Sequence, residues 1–311
     1  MPELRVGERH FTVAPGSNLL DALNQNGVPV PYSCRAGSCH ACLVQCVQGL
    51  PSDSRPDALS AEQRQQGWRL ACQCQVVEDL QVHTFDPQQD GRPAEVAAVD
   101  WLSASVLRLR LTTERPLRYS AGQHLVLWAG NVARPYSLAS LPEEDRFLEF
   151  HLDCRQPGEF SDAARQLTIG DSIRLGELRG GALHYDPDWH TRPLWLLAAG
   201  TGLGPLFGVL REALRQDHQG AIRVIHLAHD ASEHYLAKPL QAMADGRENL
   251  SVECWIPAEL PQALAQLRLV SRQTLALVCG APDSVDAFSR RLYLAGLPRN
   301  QLLADVFLPR G

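Results

Sequence analysis

The spacing of apolar residues predicts a multidomain α+β and α/β protein, with three architectures in succession. Three observations carry that expectation. Residues 3–84 hold short strands around one capped helix, a β-rich unit. Residues 94 to about 185 hold short strands separated by turns, the rhythm of an antiparallel barrel. From Arg192 onward, apolar strands alternate with helices, the rhythm of a parallel α/β sheet.

Each element has a local reason. A hairpin is expected over 3–13, turning at Gly7, Glu8 and Arg9. Ser17 is placed to cap a short helix through Asn24 that stops at Gly27. A strand over Leu43–Val47 ends at Gly49, and a closing strand covers Leu80–Thr84. The polar stretch Asp86–Pro93, with its Pro and Gly, has the composition of a linker. Barrel strands are expected at Ala94–Trp101, Val106–Thr112, His124–Trp128, Phe147–Leu152 and Ser172–Leu175, with one helix over Ser161–Gln166. The last region offers strands at Leu194–Ala199, Ile222–Ala228, Leu250–Ile256, Leu275–Cys279 and Leu302–Phe307, and a helix over Leu206–Arg215. The expected domains are therefore 1–86, 94–189 and 190–311.

Composition narrows the class. Apolar residues make up 45% and charged residues 21%, as in a globular chain with a full core. The formal charge of −6 argues against nucleic acid as a partner. Residues 1–86 carry nine acids against six arginines and the remainder 26 acids against 23 bases, so no strong steering patch is expected. The first residues lack a basic-then-apolar signal pattern. The longest apolar stretch, Pro193–Leu210, is broken by Gly200, Gly202, Gly204 and Pro205, which argues against a membrane span. Nine cysteines with a ligand-like spacing suit a reducing cytoplasm better than a disulfide scaffold.

Four of those cysteines carry the first chemistry. Cys34, Cys39, Cys42 and Cys72 are spaced C-x4-C-x2-C-x29-C, the ligand arithmetic of a plant-type 2Fe-2S cluster. Each iron needs two thiolates, and three of the four lie in one loop of small residues from Pro31 to Cys42. Small side chains let backbone N–H groups point at the sulfurs, and Gly37 is placed to take a positive φ. Zinc is the rival occupant, although zinc ribbons usually show two C-x2-C knuckles rather than three plus one. Cys46 and Cys74 are expected to pack rather than ligate, and Cys154 and Cys254 to be buried strand residues. The histidines show no metal-ligand spacing; His40, in the cluster loop, is superfluous beside four cysteines.

The second chemistry lies in glycine-rich and aromatic turns. Gly200, Thr201, Gly202 and Pro205 sit between an apolar strand and a helix, where glycines let a backbone approach a pyrophosphate. The bland reading is tight strand–helix packing. Arg134, Pro135, Tyr136 and Ser137 could meet a flavin, with Arg134 at its pyrophosphate, Tyr136 against its ring and Ser137 toward N5. Gly158 and Ser161 precede a helix suited to a second phosphate contact. These residues also read as turn and cap positions, Ser161 being an ordinary N-cap.

The order of these motifs, with Cys279, Gly280 and then Asp305 and Phe307 downstream, resembles the ferredoxin–NADP reductase superfamily. It is most similar to reductases with an N-terminal plant-type ferredoxin domain, such as oxygenase reductase components and CDP-6-deoxy-glucoseen reductase. The resemblance covers nearly the whole chain. It implies a β-grasp 2Fe-2S domain, an antiparallel flavin-binding β-barrel and a parallel α/β nucleotide-binding domain. It implies FAD rather than FMN, and electrons passing from NAD(P)H through FAD and the cluster to a one-electron partner protein. Arg134, Tyr136, Ser137 and Ser161 match its flavin motifs, and Gly200, Thr201, Gly202 and Pro205 its nicotinamide-dinucleotide turn. Cys279 and Gly280 match a pair beside the nicotinamide, and Asp305 and Phe307 a C-terminal acid and aromatic that close over the flavin. Ser137, Cys279 and Asp305 are thus the expected catalytic residues.

Three departures accompany the match. Glu159 stands where relatives commonly have glycine, Asp305 where the acid is more often Glu, and His229 and Asp230 where Gly-x-Arg is frequent. A carboxylate accepts from a free 2′-hydroxyl whereas a 2′-phosphate needs cations, so Asp230 favours NADH. NADPH stays open through Arg223, Lys238 or His229, and Asp230 also reads as a helix cap. For the acceptor, an oxygenase stands first; a deoxysugar dehydratase and a non-catalytic redox-sensing adaptor are the alternatives.

Overall fold

A computed structural model describes residues 1–32, 35–37, 40–130, 132–180 and 182–308. The chain divides into two compact units, one of Met1–Pro93 with Leu125–Pro135 and Ile173–Arg179, the other of Ala94–His124, Tyr136–Ser172 and Gly180–Gly311.

In chain order the first elements are β1 (Glu3–Val6), β2 (Arg9–Thr12), β3 (Ser17–Asn18), α1 (Leu19–Gln25), β4 (Leu43–Gln48) and β5 (Ser52–Asp53). They are followed by α2 (Ala61–Gln65), β6 (Trp68–Leu70), β7 (Cys74–Val76) and β8 (Leu80–His83). Five strands form a mixed sheet in the order β2-β1-β8-β4-β6, and β3, β7 and β5 form a second small sheet. One side of α1 supplies the core: Leu19, Leu20 and Leu23 pack with Leu4, Leu70 and Leu80, all essentially sealed from water. Burying each such leucine contributes roughly 1.5–3 kcal/mol. The cap of α1 is Asn18, whose side chain accepts from the amide of Asp21, and not Ser17. Ser17 instead lies opposite Val76 in the small sheet, which leaves the next residue to turn the chain.

The middle strands are β9 (Arg92–Trp101), β10 (Val106–Thr112), β11 (His124–Ala129), β12 (Val132–Ser137), β13 (Leu148–Asp153) and β14 (Ser172–Arg179), with α3 (Glu159–Arg165) before β14. They form one six-stranded sheet in the order β12-β11-β14-β9-β10-β13. Strand β12 is absent from the sequence reading, because its Arg and Pro break the apolar alternation that marks a strand.

The remaining elements are β15 (Leu194–Ala199), α4 (Leu203–Arg215), β16 (Ile222–Leu227), α5 (Ala237–Asp245), β17 (Leu250–Trp255), α6 (Leu260–Gln266), β18 (Leu275–Gly280), α7 (Pro282–Leu294) and β19 (Leu302–Val306). The five strands are all parallel and stand in the order β17-β16-β15-β18-β19. Strands β15 and β18 are buried along their whole length, as central parallel strands with both faces covered must be. Cys154 is buried as expected, but Cys254 is exposed. It sits on β17, the edge of the sheet, where one side of the strand meets solvent.

Candidate functional site

The cluster end of the chain is organised by the pairing of β4 with β6. Leu43 lies opposite Leu70, and the amide of Ala71 donates to the carbonyl of Cys42 at 3.0 Å. Cys42 and Cys72 thereby flank one strand junction; Cys34 and Cys39 lie outside the described residues. Gln73 donates through Nε2 to Cys72 Sγ at 3.3 Å and to the carbonyl of Arg35 at 2.8 Å, tying the loop to the ligand turn. Asn18 adds a bond from Nδ2 to the Cys72 carbonyl at 3.0 Å. Arg35, Gly37 and His40 all have positive φ, a conformation that helps gather amides around an anionic centre. An N–H directed at a cysteine sulfur and a loop of left-handed residues fit a thiolate-bound iron–sulfur cluster.

Cys46 and Cys74 belong instead to the core. Cys74 is completely buried, and burial pushes its thiol far up, while that of Cys46 rises to about 11 for the same reason. Neutral, packed thiols of this kind are inert. The same unit contains a cavity of about 340 Å³ lined by His40, Phe85, Val126 and Trp128 among others, but none of the predicted flavin or nucleotide residues borders it.

The nucleotide turn forms where the parallel sheet changes direction. Strand β15 leads to β16 on one side, and β18 stands on the other, so the strand order reverses between β15 and β18, the place where open α/β sheets bind ligands beyond their carboxyl ends. Gly200 enters a single 3₁₀ turn at φ +55° with open space around its α-carbon. A methyl group on Gly202 would stand 2.3 Å from the carbonyl oxygen of Cys279, so only glycine lets this turn lie against the end of β18. Gly280 meets Ala199 equally closely from the other side. Pro205 follows within the first turn of α4, where a missing N–H costs nothing. The backbone cradle therefore fits a dinucleotide pyrophosphate.

Cys279, Asp305 and Phe307 converge there. Cys279 and Asp305 are register partners on β18 and β19, and the amide of Phe307 donates to the carbonyl of Gly280 at 2.8 Å. The Cys279 side chain is wholly buried, and burial with the nearby Asp305 carboxylate holds its thiol neutral. Asp230, which follows β16, is exposed and accepts from the amide and hydroxyl of Ser232 at 2.8 and 2.6 Å.

Arg134, Pro135, Tyr136 and Ser137 occupy consecutive half-buried positions of β12. Tyr136 packs against Phe160 with ring centroids 5.1 Å apart and planes tilted by 49°, which joins this strand to the first turn of α3. Gly158 caps α3, and Ser161 sits inside the helix with its hydroxyl on the carbonyl of Gly158 at 3.0 Å rather than as N-cap. An arginine, a tyrosine and a serine thus follow one another along β12, residue types of the kind that bind a flavin's phosphates, ring and polar edge.

Sequence reasoning missed a buried polar chain within the second unit. Arg110 bonds Glu149 at 2.6 Å, Glu149 meets His151 Nε2 at 2.9 Å, and His151 Nδ1 lies 3.3 Å from the hydroxyl of Tyr235. Burial would raise the Glu149 carboxyl, but the hydrogen bonds and charges of His151 and Arg110 outweigh it and hold the pKa near about 2. Ser103 and Ser105 both donate to the buried Glu233, and Arg211 of α4 pairs with Asp145 and Glu144. These links run between the β9–β10 loop, β13 and the first turns of the parallel sheet. The only sequence signal was polar residues inside apolar runs, as in the strand containing His226.

Comparisons with known proteins agree with this anatomy. A 2Fe-2S iron-sulfur cluster binding domain matches residues 4–77, an oxidoreductase FAD-binding domain 93–183 and an oxidoreductase NAD-binding domain 196–289. Together they define an NAD(P)H-dependent iron–sulfur flavoprotein oxidoreductase. The chain is 30% identical to the ferredoxin–NAD(P)+ reductase component of the naphthalene 1,2-dioxygenase/salicylate 5-hydroxylase systems of Ralstonia sp, covering 97% of both chains. It is 28% identical to the corresponding naphthalene 1,2-dioxygenase component of Pseudomonas putida, over 99% of this chain and 98% of that one. Among solved structures, an Amycolatopsis cytochrome P450 reductase aligns with a TM-score of 0.67 and 26% identity, covering 99% of each chain. The chain belongs to the ferredoxin–NAD(P)+ reductase superfamily, in its group with an N-terminal plant-type 2Fe-2S domain. Among the described residues no helix is long and apolar enough to cross a membrane.

Proposed function

We propose that this reductase delivers single electrons from NADH to the oxygenase component of a multicomponent system. The observation that carries the acceptor is the full-length likeness to the Ralstonia reductase component of the naphthalene 1,2-dioxygenase/salicylate 5-hydroxylase systems. That likeness favours an oxygenase over a deoxysugar dehydratase as partner. When bound, FAD takes a hydride's electron pair and releases it singly to the 2Fe-2S cluster.

The chain's own residues hold and orient. Cys34, Cys39, Cys42 and Cys72 are the proposed cluster ligands, and Gln73 steadies the sulfur of Cys72. Arg134, Tyr136 and Ser137, with Gly158 and Ser161, are proposed to hold the flavin, Ser137 placing its hydroxyl near N5. The turn from Gly200 to Pro205 receives the dinucleotide phosphates, and Cys279 and Gly280 wall the nicotinamide. The neutral thiol of Cys279 suits that wall, since a thiolate there could add to the electrophilic ring of the oxidised nicotinamide. Asp305 and Phe307 close the flavin side. We place the domain boundaries at 1–86, 94–189 and 190–311, and the protein in the cytoplasm, in keeping with no disulfide among the described cysteines.

Stopped-flow absorbance with NADH and NADPH in turn tests the reading. Flavin bleaching should precede cluster bleaching, and NADH should be the faster donor. Bleaching of neither chromophore would refute it. Asp230→Ala should erode the NADH preference severalfold; an unchanged ratio of the two rates would remove Asp230 from nucleotide selection.

A further inference from the structure

His226 lies one residue before the carboxyl end of strand β16 and is completely buried. An imidazole without water must satisfy both ring nitrogens. Nε2 stands 3.1 Å from the carbonyl oxygen of Gly200, and Nδ1 stands 3.3 Å from Nδ1 of His234. A carbonyl only accepts, so Nε2 carries the hydrogen. Burial and the neighbouring His234 lower the pKa of His226 to about 4, so the ring is neutral at physiological pH and its Nδ1 accepts from His234. Tyr235 stands edge-on to the same ring at 5.5 Å and is itself bonded to His151. The imidazole is held on every side.

Gly200 is the residue on which the nucleotide turn pivots. Its carbonyl also receives the amide of Leu203, so both lone pairs are committed inward. In a planar trans peptide the N–H of the next residue points opposite to the carbonyl. Pinning the Gly200 carbonyl on His226 thus directs the Thr201 amide away from β16. At the start of a helical turn such amides have no intrahelical acceptor and await an anion.

We propose that His226 is the positioning residue of the dinucleotide site, holding the Gly200–Thr201 peptide in the orientation that presents its amide to the pyrophosphate. This rests on the reading of the Gly200–Pro205 turn as the NAD(P)H phosphate site. The discriminating probe is ADP-ribose, which carries the pyrophosphate but no nicotinamide, titrated calorimetrically into the FAD-loaded, cluster-loaded protein.

His226→Leu should weaken ADP-ribose binding about tenfold, the scale of one lost hydrogen bond. The KM for NADH with ferricyanide as acceptor should rise by a similar factor while kcat holds. His226→Gln, whose Nε2 can still donate, should restore binding to within about threefold of the parent. Unchanged ADP-ribose affinity in His226→Leu, or equal losses in Leu and Gln, would overturn the proposal. Should His226→Leu fail to fold, His234→Phe carries the test: it leaves His226 in place but removes the partner of its Nδ1 that orients the ring toward Gly200. A threefold or larger loss there supports the proposal, and no loss overturns it. Failure of the parent protein to bind ADP-ribose would instead defeat the underlying phosphate-site reading.

Discussion

Glu149 shows how much a single buried group can hold. The residue is only 7% exposed, yet its carboxylate remains charged because Arg110 and His151 grip both oxygens. The folded pKa of about 2 lies below the ordinary 4.5, so the stabilisation is complete above the ordinary value and is lost as pH falls toward 2. The unfolding free energy from urea titrations should therefore drop between pH 5 and pH 2.5, by an amount on the order of 1–3 kcal/mol. Glu149→Gln should flatten that dependence; an equally steep fall in the variant would place the acid sensitivity elsewhere. Gly202 makes a steric argument of the same kind. Gly202→Ala puts a methyl 2.3 Å from the Cys279 carbonyl and should cost about 1–3 kcal/mol of stability, read by thermal melting, with weaker NADH binding.

At the scale of elements, α1 and the cluster turn share one residue. The carbonyl oxygen of the Asn18 side chain caps α1, and its amide nitrogen donates to Cys72. Asn18→Asp keeps the cap and loses the donor, whereas Asn18→Ala loses both. Asn18→Ala should therefore lower stability by about 1 kcal/mol, the usual worth of a cap, and both variants should lose visible cluster absorbance faster in the presence of a chelator. A stable cluster in Asn18→Asp would confine this residue to helix capping. The capping pattern was half legible: a polar cap before Leu19 was expected, but the pairing of Ser17 with Val76 decided which residue serves. Similarly, α4 begins at Leu203 rather than Leu206, because the glycine turn is itself helical and feeds directly into it.

For the whole molecule, the arrangement of modules predicts separable chemistry. Cys72→Ser should remove the cluster's absorbance while leaving flavin reduction by NADH within about twofold of the parent, measured by rapid mixing under anaerobic conditions. Simultaneous loss of both would mean that the flavin and cluster sites do not form independently. Cys74→Ser, in contrast, alters a packed core thiol and should spare the cluster.

What the linear chain alone determined was the order of architectures, the three cofactor chemistries and most of the strands. Those features are short-range: strand and helix periods repeat within a few residues, and ligand spacing or a glycine turn occupies a dozen. Tertiary structure alone decided that His226 meets Gly200, that Tyr235 meets His151, that two serines meet Glu233, and that Cys254 falls on an exposed edge. Ser103 and Glu233 are 130 positions apart, and nothing in either neighbourhood encodes the other. Apolar periodicity says which face of an element is buried; which polar group it meets there depends on how distant elements pack, and burial then forces those groups to find partners.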